Sequence, residues 1–185
     1  MKTINYSQPE FYHFSQDSIE LAKFAAKYWA DEEIDHLIDM FCGCGVVGIE
    51  FFFRHSKIQK LEFIEREKEF YESIESNLKK SKRKMDYEIK IIDIAELDQL
   101  PSESYILANP PYFLEGSGRP AGNEKKHHAN FTSAECWNKW MEQVRGHEVL
   151  FLGRVKAEHI KKDTKIKLVH QIDDETAIFT LSKNS

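Results

Sequence analysis

Asn109-Pro110-Pro111-Tyr112 is the stretch whose residue types point most directly to chemistry. Two consecutive prolines fix the backbone and remove its N–H donors, so neither a helix nor a strand ladder continues through them. The carbonyl of Pro110 is then held out as an acceptor beside the side-chain oxygen of Asn109. Two such acceptors can take both hydrogens of a planar amino group and aim its weak lone pair at an electrophile. Pro111 locks the turn, and Tyr112 offers an aromatic face for the flat group that carries the nitrogen. Pro-Pro is also ordinary turn punctuation. An asparagine before it and an aromatic after it, directly behind an apolar strand, favour a transfer site that works by positioning and electrostatics.

A glycine-rich loop lies upstream. Gly43-Cys44-Gly45-Val46-Val47-Gly48 matches G-x-G-x-x-G between an apolar strand and a helix, where glycines allow a tight turn and close approach of a ligand to the backbone. Asp39 sits inside the end of the strand that enters this loop, where a buried carboxylate wants a cationic or donor partner such as an amino group. Glu65 ends the next strand, placed to accept the two hydroxyls of a ribose. Asp93 ends the third, placed to accept from an exocyclic adenine amine. Any one of these acids could be a plain strand-end cap. Together they line the carboxyl edge of adjacent parallel strands, where open α/β sheets bind ligands. A ligand with an amino-acid end, a ribose and an adenine matches that order, and S-adenosylmethionine has that shape. A nicotinamide cofactor would fit the glycine loop but would leave the tetrapeptide without a role. Cys42 and Cys44 have no second ligand pair nearby, so they read as small residues in a crowded turn and no metal is expected.

The elements around these motifs alternate between β-type runs and helical stretches. Asp17 with Glu20 marks a helix start, and Ile19, Ala22, Ala26 and Trp29 carry the helix to about Ala30. Strands are expected at His36 to Met40, Leu61 to Ile64, Tyr87 to Ile92, Tyr105 to Ala108 and Val149 to Leu152. Phe70, Ile74 and Leu78 step along one helix, and Trp137, Trp140, Met141 and Val144 form the packing stripe of another. Two last strands, Lys165 to Ile172 and Ala177 to Leu181, are joined by so short a connection that only an antiparallel hairpin fits. The sum is five β-α steps closed by a hairpin. That predicts an α/β fold: a Rossmann-like, mostly parallel seven-stranded sheet with helices on both faces and a C-terminal antiparallel hairpin. One domain is expected over residues 1–185, with residues 1–30 a helical segment preceding a catalytic core at 31–185.

The 185 residues are 41% hydrophobic and 31% charged, with 8 glycines and 5 prolines, which excludes a disordered or low-complexity chain. No apolar run is long enough to span a membrane, the N-terminus lacks a signal-peptide pattern, and three cysteines make no disulfide scaffold. A cytoplasmic location is expected. The net charge of −5 argues against a general nucleic-acid coat, though not against a local basic face. Lys79 to Lys84 is read as a solvated surface, whereas Lys125-Lys126-His127-His128 lies in a long polar loop just past the tetrapeptide and is a candidate for phosphate contacts.

Taken in order, Asp39-Met40-Phe41-Cys42-Gly43-Cys44-Gly45, Glu65, Asp93 and Asn109-Pro110-Pro111-Tyr112 resemble the motifs of class I S-adenosylmethionine-dependent methyltransferases of the amino-group (NPPY) type. Within that class the chain is most similar to the tRNA adenine-N6 methyltransferases that modify valine tRNA. The likeness rests on Phe14-Ser15-Gln16-Asp17-Ser18-Ile19, on Tyr112-Phe113 followed by Gly116, and on the basic stretch before Phe131. The resemblance implies a methyltransferase that uses S-adenosylmethionine, with an RNA substrate, most naturally tRNA. It also implies that Phe14, Asp17, Asp39, Phe41, Gly43, Gly45, Glu65, Asp93 and Asn109 bind cofactor. Tyr112, Phe113, Lys125, Lys126, His127 and His128 would then bind substrate. Phe41 stands where the family usually has its first glycine.

Other acceptors stay open. A glutamine-N5 methyltransferase acting on a translation protein uses the same tetrapeptide, because a side-chain amide is also planar with an NH2; against it, the loop after the motif has no Glu-Pro element. Duplex DNA would demand a base-flipping element for which the chain has little room, and a small-molecule amine fits the tetrapeptide too. A cofactor-binding module without activity is the reading from another class. The chain is shorter and less basic than typical tRNA-modifying relatives, which leaves a protein partner or a second copy to complete the substrate surface.

Overall fold

The structure, a computed structural model, describes residues 5–82, 84–111, 113–114 and 131–181. Seven strands form one sheet: β1 (Ile34–Met40), β2 (Ile58–Glu65), β3 (Asp86–Ile91), β4 (Tyr105–Ala108), β7 (Glu148–Arg154), β8 (Ile166–Gln171) and β9 (Thr176–Leu181). Their order is β3-β2-β1-β4-β7-β9-β8. All neighbours are parallel except the last two pairs, β7 with β9 and β9 with β8. The expected α/β sheet with its closing hairpin is therefore present. Two short strands, β5 (Phe113–Leu114) and β6 (Phe131–Thr132), pair in parallel as a separate ladder.

One face of the sheet carries α1 (Gln16–Tyr28), α2 (Val46–Arg54) and α3 (Tyr71–Ser81). Leu37, Leu61, Phe63, Leu107 and Leu150 point into this layer, alternating with residues that point the other way, as a pleated strand demands. α2 is buried from Val46 through Phe52 because α1 crosses its outer side. That leaves Glu50 inside, where Tyr6 donates to Oε1 at 2.7 Å and Arg54 pairs with the other oxygen. α1 begins at Gln16 rather than at Asp17, with Ser15 in the capping position, and Glu20 pairs with Lys23 instead of closing a capping box. Its inward face is Ser18, Leu21, Ala22, Ala25 and Trp29.

The opposite face is covered by α4 (Ala134–Gln143), α5 (Glu158–Lys162) and an irregular stretch at 92–104. Trp137, Trp140 and Val144 pack as the helical spacing predicted, with Ser133 accepting from the Cys136 N–H at the start of α4. The sum of five β-α steps needs one correction. Between β3 and β4 the chain makes turns and no helix; Pro101 limits continuation, and Ile94 and Leu97 reach down to cover the sheet. Beside this thinner cover the sheet surface is polar. Glu62 is buried there between His36 at 3.0 Å and Lys90 at 2.8 Å, and Lys60 pairs with Glu88 at 2.6 Å. No helix among the described residues is long and apolar enough to cross a membrane.

Candidate functional site

β1 is the strand where the order reverses, with β2 on one side and β4 on the other. Chains leaving the carboxyl ends of β1 and β4 diverge to opposite faces there and open a crevice. A cleft at this place is lined by Tyr12, Met40, Phe41, Gly43, Ile64, Glu65, Arg66, Glu67, Phe70, Ile92, Asp93, Ile94, Asn109, Pro111 and Cys136. Six residues named from the sequence thus meet in one cavity: Phe41, Gly43, Glu65, Asp93, Asn109 and Pro111.

The glycine loop is held from both sides. Gly45 has φ +77°, left-handed backbone that a side chain strains, and its N–H donates to Cys42 O at 2.8 Å. Phe41 also has positive φ, at 57°, so the departure from glycine noted in the sequence costs backbone strain of about 1–2 kcal/mol. Its ring lines the cleft and meets Trp140 edge-on at 5.4 Å.

Asp39 lies behind the loop rather than on the cleft wall. It is fully buried, and Oδ2 accepts from the Gly48 N–H at 2.7 Å. A Cβ on Gly48 would stand 3.0 Å from both Cβ and Oδ2 of Asp39, so only glycine lets the helix start come this close. Oδ1 is buried without a hydrogen-bond partner. Burial pushes the Asp39 carboxyl well above its ordinary range, against the pull of the Gly48 amide. Glu65 clasps the loop from the rim: Oε2 accepts from the Gly43 N–H at 2.8 Å, while Oε1 takes the amides of Arg66 and Glu67 at 2.8 and 2.9 Å. Burial still raises its pKa despite these three donors. Asp93 accepts from the Ala95 N–H at 2.8 Å and faces the Arg66 guanidinium at 3.7 Å.

Across the cleft, Asn109 follows β4. Its Nδ2 donates to the Ser18 hydroxyl at 3.1 Å, and its Oδ1 is buried with no partner. Pro110 is buried and Pro111 lines the cavity. Gly45, Phe14 and Asp17 are not among the lining residues; Phe14 meets Tyr6 edge-on at 5.6 Å. Tyr112, Lys125, Lys126, His127 and His128 lie outside the described residues, and of Phe113 only the backbone in β5 is described.

Sequence reasoning missed Tyr12 and Ser18. Tyr12 hangs over Gly43 and meets Phe70 edge-on at 5.0 Å. Asn77 puts it there by tying Ser7 to the loop, accepting from the Ser7 N–H at 2.6 Å and donating to Ser7 O and Cys44 O at 2.9 Å. The signal for Ser18 is a polar residue at i of a face continued by Leu21, Ala22 and Ala25. Cys42 and Cys44 are buried free thiols, that of Cys44 pushed up to about 12 by burial. The described residues hold no cluster of three or more His, Cys, Asp or Glu placed for a metal.

The architecture recurs in solved structures. Ribosomal protein L11 methylase from Lactobacillus delbrueckii subsp. bulgaricus superposes with a TM-score of 0.64 at 12% identity, over 93% of this chain and 81% of that one. A provisionally assigned RNA methyltransferase from Pyrococcus horikoshii gives 0.66 at 16% identity, over 98% and 93%. The enzyme aTrm5, solved in complex with tRNALeu, gives 0.54 at 15% identity over 91% of this chain, which spans 46% of that longer one. These likenesses establish the Rossmann-like methyltransferase fold. No curated protein matches the sequence. The sequence model of the family described as Conserved hypothetical protein 95 matches residues 16–119, from the first helix through the glycine loop and the tetrapeptide. The match takes in more than half of the chain, which therefore belongs to that family.

Proposed function

We propose that the protein is an S-adenosylmethionine-dependent N-methyltransferase whose acceptor is an exocyclic amine of RNA, adenine N6 of a tRNA first among them. The observation that carries this reading is the buried, unpartnered Oδ1 of Asn109, a residue that lines the cleft. A buried acceptor without a donor costs roughly 1–3 kcal/mol, a cost that an incoming N–H would remove. The residues present fit the cofactor. Glu65 has lone pairs left for ribose hydroxyls, Asp93 an oxygen for an adenine amine, and Ile64, Ile92 and Ile94 an apolar slot for a flat ring. Phe41, Gly43 and Gly45 would shape the backbone side, Asp39 would hold that loop, and Phe14 and Asp17 would close the pocket. When bound, the cofactor supplies a methyl group on a sulfonium, a good leaving group that needs no metal or redox partner.

On the protein side, Asn109 Oδ1 and the Pro110 carbonyl would accept the two amine hydrogens and turn the nitrogen lone pair toward the cofactor side of the cleft. Tyr112 and Phe113 would stack on the base, and Lys125, Lys126, His127 and His128 would contact phosphates. A cytoplasmic location goes with this reading, as does a partner or second copy that widens the RNA-binding surface. Two of the similar folds belong to proteins named for RNA methylation or solved with tRNA, which supports the choice of RNA.

The test offers labelled S-adenosylmethionine with RNA, DNA and protein fractions from cells lacking the enzyme, with Asn109→Ala as control. Label in RNA, recovered as N6-methyladenosine, is the expected result. Label confined to protein would replace adenine by a glutamine amide as acceptor. Cofactor binding with no label in any fraction would leave a binding module without activity.

A further inference from the structure

We infer that Ser18, from α1, is a positioning residue that sets the side-chain amide of Asn109 with its oxygen toward the cleft. The inference rests on the methyl-transfer reading and assigns that site a residue 91 positions upstream of the tetrapeptide.

Asn109 has two ends of opposite character, an oxygen that accepts and an NH2 that only donates. Only the oxygen can receive the hydrogens of an amine; turned over, the same side chain would present hydrogens to hydrogens. The Ser18 hydroxyl receives the Nδ2–H at 3.1 Å, and the oxygen at the other end is left buried and unpartnered on a residue that lines the cavity. Withdrawing an amide hydrogen into a hydrogen bond also polarises the amide, which makes its oxygen a stronger acceptor.

Helix formation does not explain why a serine stands here. Ser15 occupies the capping position, and Ser18 spends its N–H on Ser15 O at 3.2 Å. Its side chain is 2% exposed, on the face where Leu21, Ala22 and Ala25 pack without any exposure. Alanine would suit that face better, since a hydroxyl taken from water needs a partner. The partner it has is Asn109. Docking of α1 onto the core therefore completes the acceptor site, and residues before the first strand belong to its machinery.

The experiment is a double-mutant cycle on the full chain, read by single-turnover methyl transfer and by cofactor titration. Ser18→Ala is expected to lower transfer by roughly 10–100-fold, the scale of a misaligned reacting group, with cofactor Kd changed less than about twofold. In an Asn109→Ala background the same substitution should add nothing, because Ser18 acts through that side chain. Ser18→Cys keeps a buried side chain of similar size and exchanges oxygen for a weakly accepting sulfur, so transfer should fall while Tm stays near that of the parent.

An independent readout is the side-chain NH2 resonance pair of Asn109, assigned by its absence from Asn109→Ala. It should shift in Ser18→Ala and Ser18→Cys. Equal losses in both backgrounds, or unchanged transfer in both Ser18 variants, would overturn the positioning role. A parent chain that methylates nothing would instead sink the methyl-transfer reading, and the resonance shift would still report the coupling of the two side chains.

Discussion

The two walls of the cleft treat their polar groups in opposite ways. On the glycine-loop side, Glu65 spends both carboxyl oxygens on the amides of Gly43, Arg66 and Glu67, while Asp39, behind the loop, holds the Gly48 amide with Oδ2 and keeps a buried Oδ1 without a partner. On the tetrapeptide side, Asn109 is tethered through its nitrogen and its oxygen is left without a donor. The first wall is therefore a rigid cradle whose carboxylates shape the loop before any ligand arrives. The second is an acceptor kept in reserve. Preorganisation of one kind favours affinity and of the other favours rate, because only groups whose interactions strengthen during reaction speed it.

That division can be broken most decisively at Asn109. Asn109→Ala should lower single-turnover transfer by roughly 10²–10³-fold, the scale for losing one preorganised polar contact, with calorimetric cofactor affinity nearly unchanged. Matched losses of rate and affinity would erase the distinction between the walls. Glu65→Gln tests the other side. It places an NH2 among N–H donors, so cofactor affinity should fall by about 10–100-fold, while turnover at saturating cofactor falls less.

Asp39 sharpens the comparison through pH. Its carboxyl is raised well above the ordinary value by burial, so within that window the folded chain holds a proton that the unfolded chain has lost. Stability from this group is full below the unfolded pKa and is lost as pH rises through the folded one. Asp39→Asn keeps an acceptor for Gly48 and carries no charge. The Tm of the variant minus that of the parent should therefore climb as pH rises above the ordinary carboxylate range; a difference that falls would mean an ionised, stabilising Asp39.

The smallest effect is expected at Phe41. Phe41→Gly and Phe41→Ala both remove the ring, but only glycine relieves the positive φ. Urea unfolding should find the alanine variant less stable than the glycine variant by about 1 kcal/mol. Equal stabilities would mean that the turn is not strained at this residue.

Periodicity and spacing are local properties, and their consequences were legible in the chain alone. The seven strands, the closing hairpin, the stripe of Trp137, Trp140 and Val144, and the strand-end places of Glu65, Asp93 and Asn109 all come from patterns within a few residues. Even the strain at Phe41 was foreshadowed by a bulky residue at a glycine position. The sum of five β-α steps did not hold between β3 and β4, since a sheet face can be covered by Ile94 and Leu97 on a turning segment as well as by a helix.

Tertiary structure alone decided which polar atoms are spent and which are left. Asp39 alternates onto the face under α2, so packing of Gly48 rather than proximity in sequence chose its partner. Tyr12 reaches the cleft because Asn77 pins the N-terminal stretch, and Ser18 reaches Asn109 because α1 packs onto the core. The sequence settled where acceptors could stand, because strand ends are set by local pattern. Which acceptor stays open was settled by contacts between segments as much as 91 residues apart, whose formation depends on how whole layers pack.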